Sequence, residues 1–319
     1  MDITFVYSPE YDIRFFGLEK LHPFDSGKYG RAWQLLEERF GEALTPLRIE
    51  PAGEISGADL LLVHSQRYLD SLNDAVVLAT ALELPFLAQI PAPLIHGHIL
   101  RPMRLATEGT SLAVQRALQT GGVAVNLSGG YHHASGERGE GFCLYADVAI
   151  AVARARRGGQ LTPGKDRILY IDLDAHQGNG VERAFLNDPA LSIVDAYNAA
   201  IYPQDRVAEQ RIDRAIPLPP GTGNAVYLAR VHETMTEALR NQGPFPLAIY
   251  NAGTDVHADD QLGGLALTDA GVLQRDTLVL DALIAAQIPT VVLPSGGYST
   301  RSYHLIYETL RWLLETHRA

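Results

Sequence analysis

Short β-branched apolar runs alternate with longer amphipathic stretches along the chain. Ile3–Tyr7, Asp59–Val63, Val123–Asn126, Ile168–Asp172, Leu191–Val194, Leu247–Tyr250 and Thr290–Leu293 read as strands. Between them, Arg31–Phe40, Thr107–Gln119, Asp147–Arg156, Tyr227–Asn241 and Asp269–Ala286 carry apolar residues at helical spacing. This alternation predicts an α/β fold in which helices cover both faces of a parallel sheet. The strands are apolar throughout rather than every second residue, as burial on both faces requires. The stretch Ala75–Leu100 is also apolar, but Glu83, Pro85, Gln89, Pro91 and Pro93 interrupt it. A spanning helix needs about 20 predominantly apolar residues, so no membrane insertion is expected.

Polar residues follow directly on four of the predicted strands. Val123–Asn126 leads into Ser128-Gly-Gly-Tyr-His-His133, and Ile168–Ile171 into Asp172-Leu-Asp-Ala-His176. Leu247–Tyr250 leads into Asn251-Ala-Gly-Thr-Asp255, and Thr290–Leu293 into Pro294-Ser-Gly-Gly-Tyr298. Open parallel sheets bind ligands beyond the carboxyl ends of their strands. The pattern therefore predicts one rim where carboxylates, a His pair and a Tyr converge.

Composition narrows the partners. The formal charge is −11, from 26 Lys and Arg against 37 Asp and Glu. That excludes a general nucleic-acid surface, which needs clustered cations for phosphate. It suits a cationic partner, and equally a solvated acidic surface. Its 319 residues contain no linker, charge block or repeat and read as a single domain, 1–319. The first residues, Met1-Asp2-Ile3-Thr4, lack the basic and apolar regions of a signal peptide. The single cysteine, Cys143, cannot close an internal disulfide, so a cytoplasmic location is expected.

Asp174 and His176 stand two apart at a strand end and can project to one side. With Asp255 they offer three N/O ligands and leave a position open for water, the pattern of a catalytic metal site. Taken singly, Asp-x-His also describes a capping aspartate beside a loop histidine; the four convergent strand ends favour the metal. Two aspartates cancel the charge of a divalent cation, so bound water is acidified less than in a three-His site. Such a site needs a general base and an extra oxyanion donor. His132 and His133 supply the first and Tyr298 the second. Two adjacent histidines serving one site require an irregular loop, which Gly129 and Gly130 permit. Gly296 and Gly297 likewise read as a flexible turn that lets the Tyr298 phenol swing in.

These segments, with Gly141-Phe-Cys143 and Asp172-Leu-Asp-Ala-His-Gln-Gly-Asn179, resemble the arginase/deacetylase superfamily and within it the histone deacetylases. Val6-Tyr-Ser-Pro9, Gly17-Leu-Glu-Lys-Leu-His-Pro-Phe24 and Asp172–Gly180 are most similar to class IV. The resemblance runs from Tyr7 to Tyr298. It implies a three-layer α/β/α fold with a central, mostly parallel eight-stranded sheet. It also implies one zinc ion on Asp174, His176 and Asp255, with His132 steadied by Asp172 and His133 by Asn179. His133 would serve as general base and acid, and His132 as its electrostatic partner. Gly141, Phe142 and Tyr202 would border a tunnel for the lysine methylenes. A potassium ion near the Asp172–His176 backbone is a further expectation. The implied substrate is an acylated lysine of a peptide or protein, or a small acyl-amine.

Two departures bear on substrate. Class I relatives carry an Asp in a rim loop that grips the substrate backbone, whereas Leu84–Ile95 contains no acid. An apolar rim loop could contact a long acyl chain, or simply pack over the core or against another subunit. Asn179 stands where class I has Asp, and an amide orients a His without favouring imidazolium, so His133 should have a lower pKa than beside a carboxylate. Acetylpolyamine amidohydrolases place a glutamate seven residues after the last metal aspartate, where this chain has Leu262. Leu262 cannot meet a distal ammonium, though Asp259 and Asp260 are close. An arginase-like enzyme needs more carboxylates to bridge two metals. An inactive acyl-lysine binding module would not need all of these residues. His22, His64, His96, His98, His232, His257 and His304 read as ordinary surface or core histidines. Cys143 reads as an inert thiol near the site floor, and the apolar stripe of Asp269–Ala286 as core packing.

Overall fold

A computed structural model describes residues 1–318, with the backbone alone at 241 and 242. Its strands are β1 (Ile3–Val6), β2 (Arg48–Ile49), β3 (Val123–Asn126) and β4 (Ile168–Asp172), then β5 (Leu191–Asn198), β6 (Arg214–Leu218), β7 (Leu247–Asn251) and β8 (Thr290–Leu293). They form one sheet in the order β2-β1-β3-β8-β7-β4-β5-β6, and every pairing is parallel. Helices pack in two groups, giving the three-layer α/β/α architecture. One group holds Arg101–Thr120, Asp147–Arg157 and Asn179–Ala184; the other holds Lys28–Phe40, Asn224–Gln242, Asp269–Ala285 and Ser302–His317. The residues of β1, β3, β4, β5, β7 and β8 are buried, which explains their unbroken apolar character.

One expectation needs correction, and three elements lay outside the hydrophobic pattern. Asp59–Val63 is not a strand: a helical turn, Gly57–Leu60, begins there. Ser56 Oγ accepts from the Asp59 amide, and the Asp59 carboxylate accepts from the Ser56 hydroxyl at 2.8 Å, so a capping pair overrides the apolar run. The two outermost strands escaped the hydrophobic pattern. An edge strand has one side open, so β6 alternates in burial and tolerates Pro217. The helix Ser302–His317 was also unanticipated, although Leu305, Ile306, Leu310, Leu313 and Leu314 bury one stripe of it at helical spacing.

Registers align the carboxyl ends of the strands. Asp172 sits opposite Asn251, and Asn251 opposite Leu293. No helix among the described residues is long and apolar enough to cross a membrane.

Candidate active site and metal centre

The four central strands, neighbours in the order β3-β8-β7-β4, are the four that carry the polar segments. After β3 the chain turns sharply: Gly129 and Gly130 take φ of 78° and 70°, a region glycine enters without steric cost. Asp147, buried at the start of a helix, accepts the backbone N–H of Gly130 and of Tyr131 at 2.9 Å each. This bend places the buried rings of His132 and His133 only 4.1 Å apart.

The two histidines have different partners. His132 Nδ1 lies 2.9 Å from Asp172 Oδ2, and His133 Nδ1 lies 2.8 Å from Asn179 Oδ1. Asp172 is itself held by Tyr170 Oη at 2.7 Å and Asn251 Nδ2 at 2.9 Å. Burial disfavours the His132 cation, but Asp172 and then Asp174 outweigh it and lift its pKa to about 9. For His133, burial followed by the charges of His132 and His176 pushes the pKa well below the ordinary imidazole range. One ring thus has a carboxylate partner that favours its cation, and its neighbour an amide that does not.

Beyond β4 and β7, Asp174, His176 and Asp255 converge, with ligand atoms all within 4.8 Å of one another and every residue buried. His176 Nδ1 sits 3.1 Å from Asp174 Oδ1 and 2.9 Å from Asp255 Oδ2. Burial, then the Asp174 charge, raises Asp255 to about 7. Burial opposes protonation of His176, yet the two carboxylates raise it to about 10. Two facing buried carboxylates and one imidazole form a donor set that suits a divalent zinc ion. Among the described residues this is the one such group of three. Backbone closes tightly around it: a Cβ on Gly296 would lie 2.1 Å from Asp174 Oδ2. Gly296 therefore supplies space more than the flexibility expected of that turn.

Several supporting residues lay outside the sequence reading. Arg275 is fully buried, pairs with Asp276 and donates to the carbonyls of Leu173 (3.0 Å) and Gly253 (2.6 Å). It thereby clamps the loops that carry Asp174 and Asp255, so its helix does more than pack the core. Lys28, also fully buried, donates to Ser295 O at 2.6 Å and Gly297 O at 3.2 Å, and burial depresses its pKa to about 8. Asp260 Oδ2 accepts the Tyr298 amide at 2.7 Å, fixing where that side chain starts.

Tyr298 is half-buried, its ring 5.9 Å from the His176 ring and 6.1 Å from that of Phe24. The residues lining a narrow pocket include Phe24, His132, His133, Phe142, Asp174 and Tyr298, with Gly141 and buried Cys143 also in its wall and Tyr202 outside it. Phe142 is wedged between His22 at 4.4 Å and Phe24 at 5.1 Å. Tyr202, 42% exposed, stands edge-on 5.2 Å from His133. Leu262, 40% exposed, does not line the pocket, and His257 is turned away to Asp269 at 2.8 Å. In the rim segment, Leu84, Leu87 and Ile95 point into the core and none of Leu84–Ile95 lines the pocket. Glu83, immediately before it, is an exposed acid.

Comparison with known proteins is consistent across the whole chain. A model of the histone deacetylase domain matches residues 22–313. Histone deacetylase 2 of Arabidopsis thaliana is 40% identical over 309 residues, covering 97% of this chain and 78% of that protein. An uncharacterized protein of Picosynechococcus is 31% identical over 307 residues, 96% of each chain. The crystal structure of an HDAC homolog from Aquifex aeolicus superposes with a TM-score of 0.75 at 21% identity, covering 100% of this chain and 85% of that one.

Proposed function

The chain belongs to the histone deacetylase family, and from that premise we propose that it is a zinc-dependent lysine deacylase, most similar to class IV, in which residues 1–319 act as one catalytic domain. The observation that carries this reading is the meeting of Asp174, His176 and Asp255 in one buried group, with Asp174, His132, His133 and Tyr298 lining a narrow pocket.

Asp174, His176 and Asp255 would hold one zinc ion, which when bound supplies Lewis acidity toward the attacking water and the amide carbonyl. His133 takes the water proton at Nε2, since its Nδ1 is committed to Asn179. It then returns that proton to the departing lysine amine. His132, kept cationic by Asp172, favours the negative charge that builds on the carbonyl oxygen. The Tyr298 phenol donates to the same oxygen. Burial and the neighbouring carboxylates raise its pKa well above the usual phenol value, so it remains a donor. Phe24, Phe142 and Tyr202 exclude water along the methylenes of the lysine. We also propose a structural potassium ion near Asp172–His176, beside the buried Asp195 on the neighbouring strand.

An acylpolyamine substrate is disfavoured because Leu262 brings no charge and Asp260 is spent on the amides of Leu262, Gly263 and Tyr298. The test is hydrolysis of acetyl-, octanoyl- and myristoyl-lysine peptides and of acetylputrescine, each with and without chelator. Zinc-dependent release from the peptides is expected. Inactivity of zinc-loaded enzyme on the whole panel overturns the proposal, and acetylputrescine turned over far faster than any peptide overturns the substrate class. A clear preference for acetyl removes the long-chain option.

A further inference from the structure

Asn179 differs from a carboxylate in one respect that matters for a base: its two ends are chemically distinct. Its Oδ1 faces His133 Nδ1 at 2.8 Å, while its Nδ2 faces Glu140 Oε1 at 2.8 Å. A carboxylate only accepts hydrogen bonds, so the amide must turn its NH2 toward Glu140 and its oxygen toward His133. His133 Nδ1 must then carry a hydrogen, which leaves Nε2 with the free lone pair. A flipped amide would set oxygen against the Glu140 carboxylate and NH2 against His133. That arrangement demands the opposite tautomer, with Nε2 protonated and unable to take a proton.

We infer that Glu140 is a positioning residue that locks the Asn179 amide and so selects the base-competent tautomer of His133. This rests on reading His133 as the general base. The local structure is built to keep Glu140 in place. Its N–H and C=O pair with Cys143 at 3.0 and 2.9 Å, closing a tight turn over Gly141 and Phe142. Those two residues take φ of 54° and 60°, the pattern of a type I′ turn, which a phenylalanine adopts at a cost. The turn presses on the base itself, for a Cβ on Gly141 would come within 2.6 Å of His133 Cδ2. Arg138 Nη2 meets the same Glu140 oxygen at 2.6 Å, holding it from the solvent side. A Cβ on Gly141 would also lie 3.3 Å from Tyr202 Cε1, so the turn packs against that ring as well. One four-residue turn thus supplies both the Phe142 wall and the orientation of the base.

An aspartate at 179 has two equivalent oxygens and would not need a partner to choose between them. The dependence on Glu140 is therefore specific to the amide, and that makes it testable. Zinc-loaded wild type, E140A, N179D and E140A/N179D are compared by steady-state kinetics and by the imidazole 15N signals of labelled histidine, with metal content as the control for folding. E140A is expected to lower kcat by about 10- to 100-fold with little change in KM, the usual range for an outer partner of a reacting group. Its His133 signal should shift from pure Nδ1–H toward the Nε2–H form. In the N179D background the same alanine should cost less than about 3-fold or raise the rate, because no amide remains to orient and the two facing carboxylates repel. An unchanged His133 tautomer in E140A, or an equal loss in both backgrounds, overturns the inference. H133A separates the two claims: activity retained there defeats the general-base reading, whatever Glu140 does.

Discussion

The floor of the pocket and its rim are held in different ways. At the floor, both oxygens of Asp172 are engaged, by His132, Tyr170, Asn251 and the Asp174 amide. Asp174 takes the amides of His176 and Gly296, and Asp255 takes the amide of Ala175. At the rim, Tyr202, Leu262 and Glu83 are exposed. Fixed donors and acceptors in a water-poor site act strongly on charge that develops during reaction, whereas exposed groups are screened. The floor should thus set whether an acyl amide is cut at all. The rim should set which one.

The largest effect expected from that contrast comes from removing a metal ligand. Asp255→Ala should abolish zinc stoichiometry and lower kcat/KM by at least about 10³-fold for every acyl-lysine tested. Elemental analysis beside the kinetics decides it; a metal-free variant that keeps activity would separate the chemistry from the Asp-His-Asp group. Tyr298→Phe comes next. Loss of one oxyanion donor typically costs about 10²- to 10³-fold in kcat, and KM should change little. A variant affected mainly in KM would make Tyr298 part of the rim instead.

Asn179→Asp acts within the floor but on pH more than on rate. Its carboxylate would favour the His133 imidazolium, raising a pKa that burial and the charges of His132 and His176 now depress. A base works only when deprotonated, so activity on the acid side should fall at higher pH than in the wild type. A pH–rate profile with an unmoved acid limb rejects the electrostatic difference between amide and carboxylate.

How much of this was readable from the chain depended on sequence separation. Asp174 and His176 stand two apart, and their strand-end position announced them. The pairings of His132 with Asp172 and of His133 with Asn179 came from resemblance, since 40 and 46 residues separate the partners. Arg275 sat inside a helix read as core packing, where an arginine ordinarily marks the solvent-facing side, yet it is fully buried. Lys28 reaches across 267 residues to the Ser295 carbonyl, and no local pattern encodes that contact. Glu140 carries no signal of its own in the sequence, and its place becomes visible only once the Asn179 amide has two ends with known neighbours. The central strands were legible because burial on both faces leaves continuous apolar runs. The edge strands β2 and β6 were not, for the opposite reason.

The smallest expected effect lies at the rim and probes its role most directly. Leu262→Glu places a carboxylate seven residues after Asp255, on a side chain position that is 40% exposed and outside the pocket lining. An exposed ion pair is worth roughly 0.2–1 kcal/mol, so acetylputrescine should gain only about 1.5- to 5-fold relative to an acetyl-lysine peptide. The gain should fade with added salt, because the pair would be screened. It should reside in KM rather than kcat, since a contact made equally by bound substrate and transition state lowers both. A change in kcat of the same size would mean that the loop around Asp260, whose carboxylate holds the Tyr298 amide, had moved with the substitution. That result would erase the division between floor and rim at this point, because one loop would then serve both.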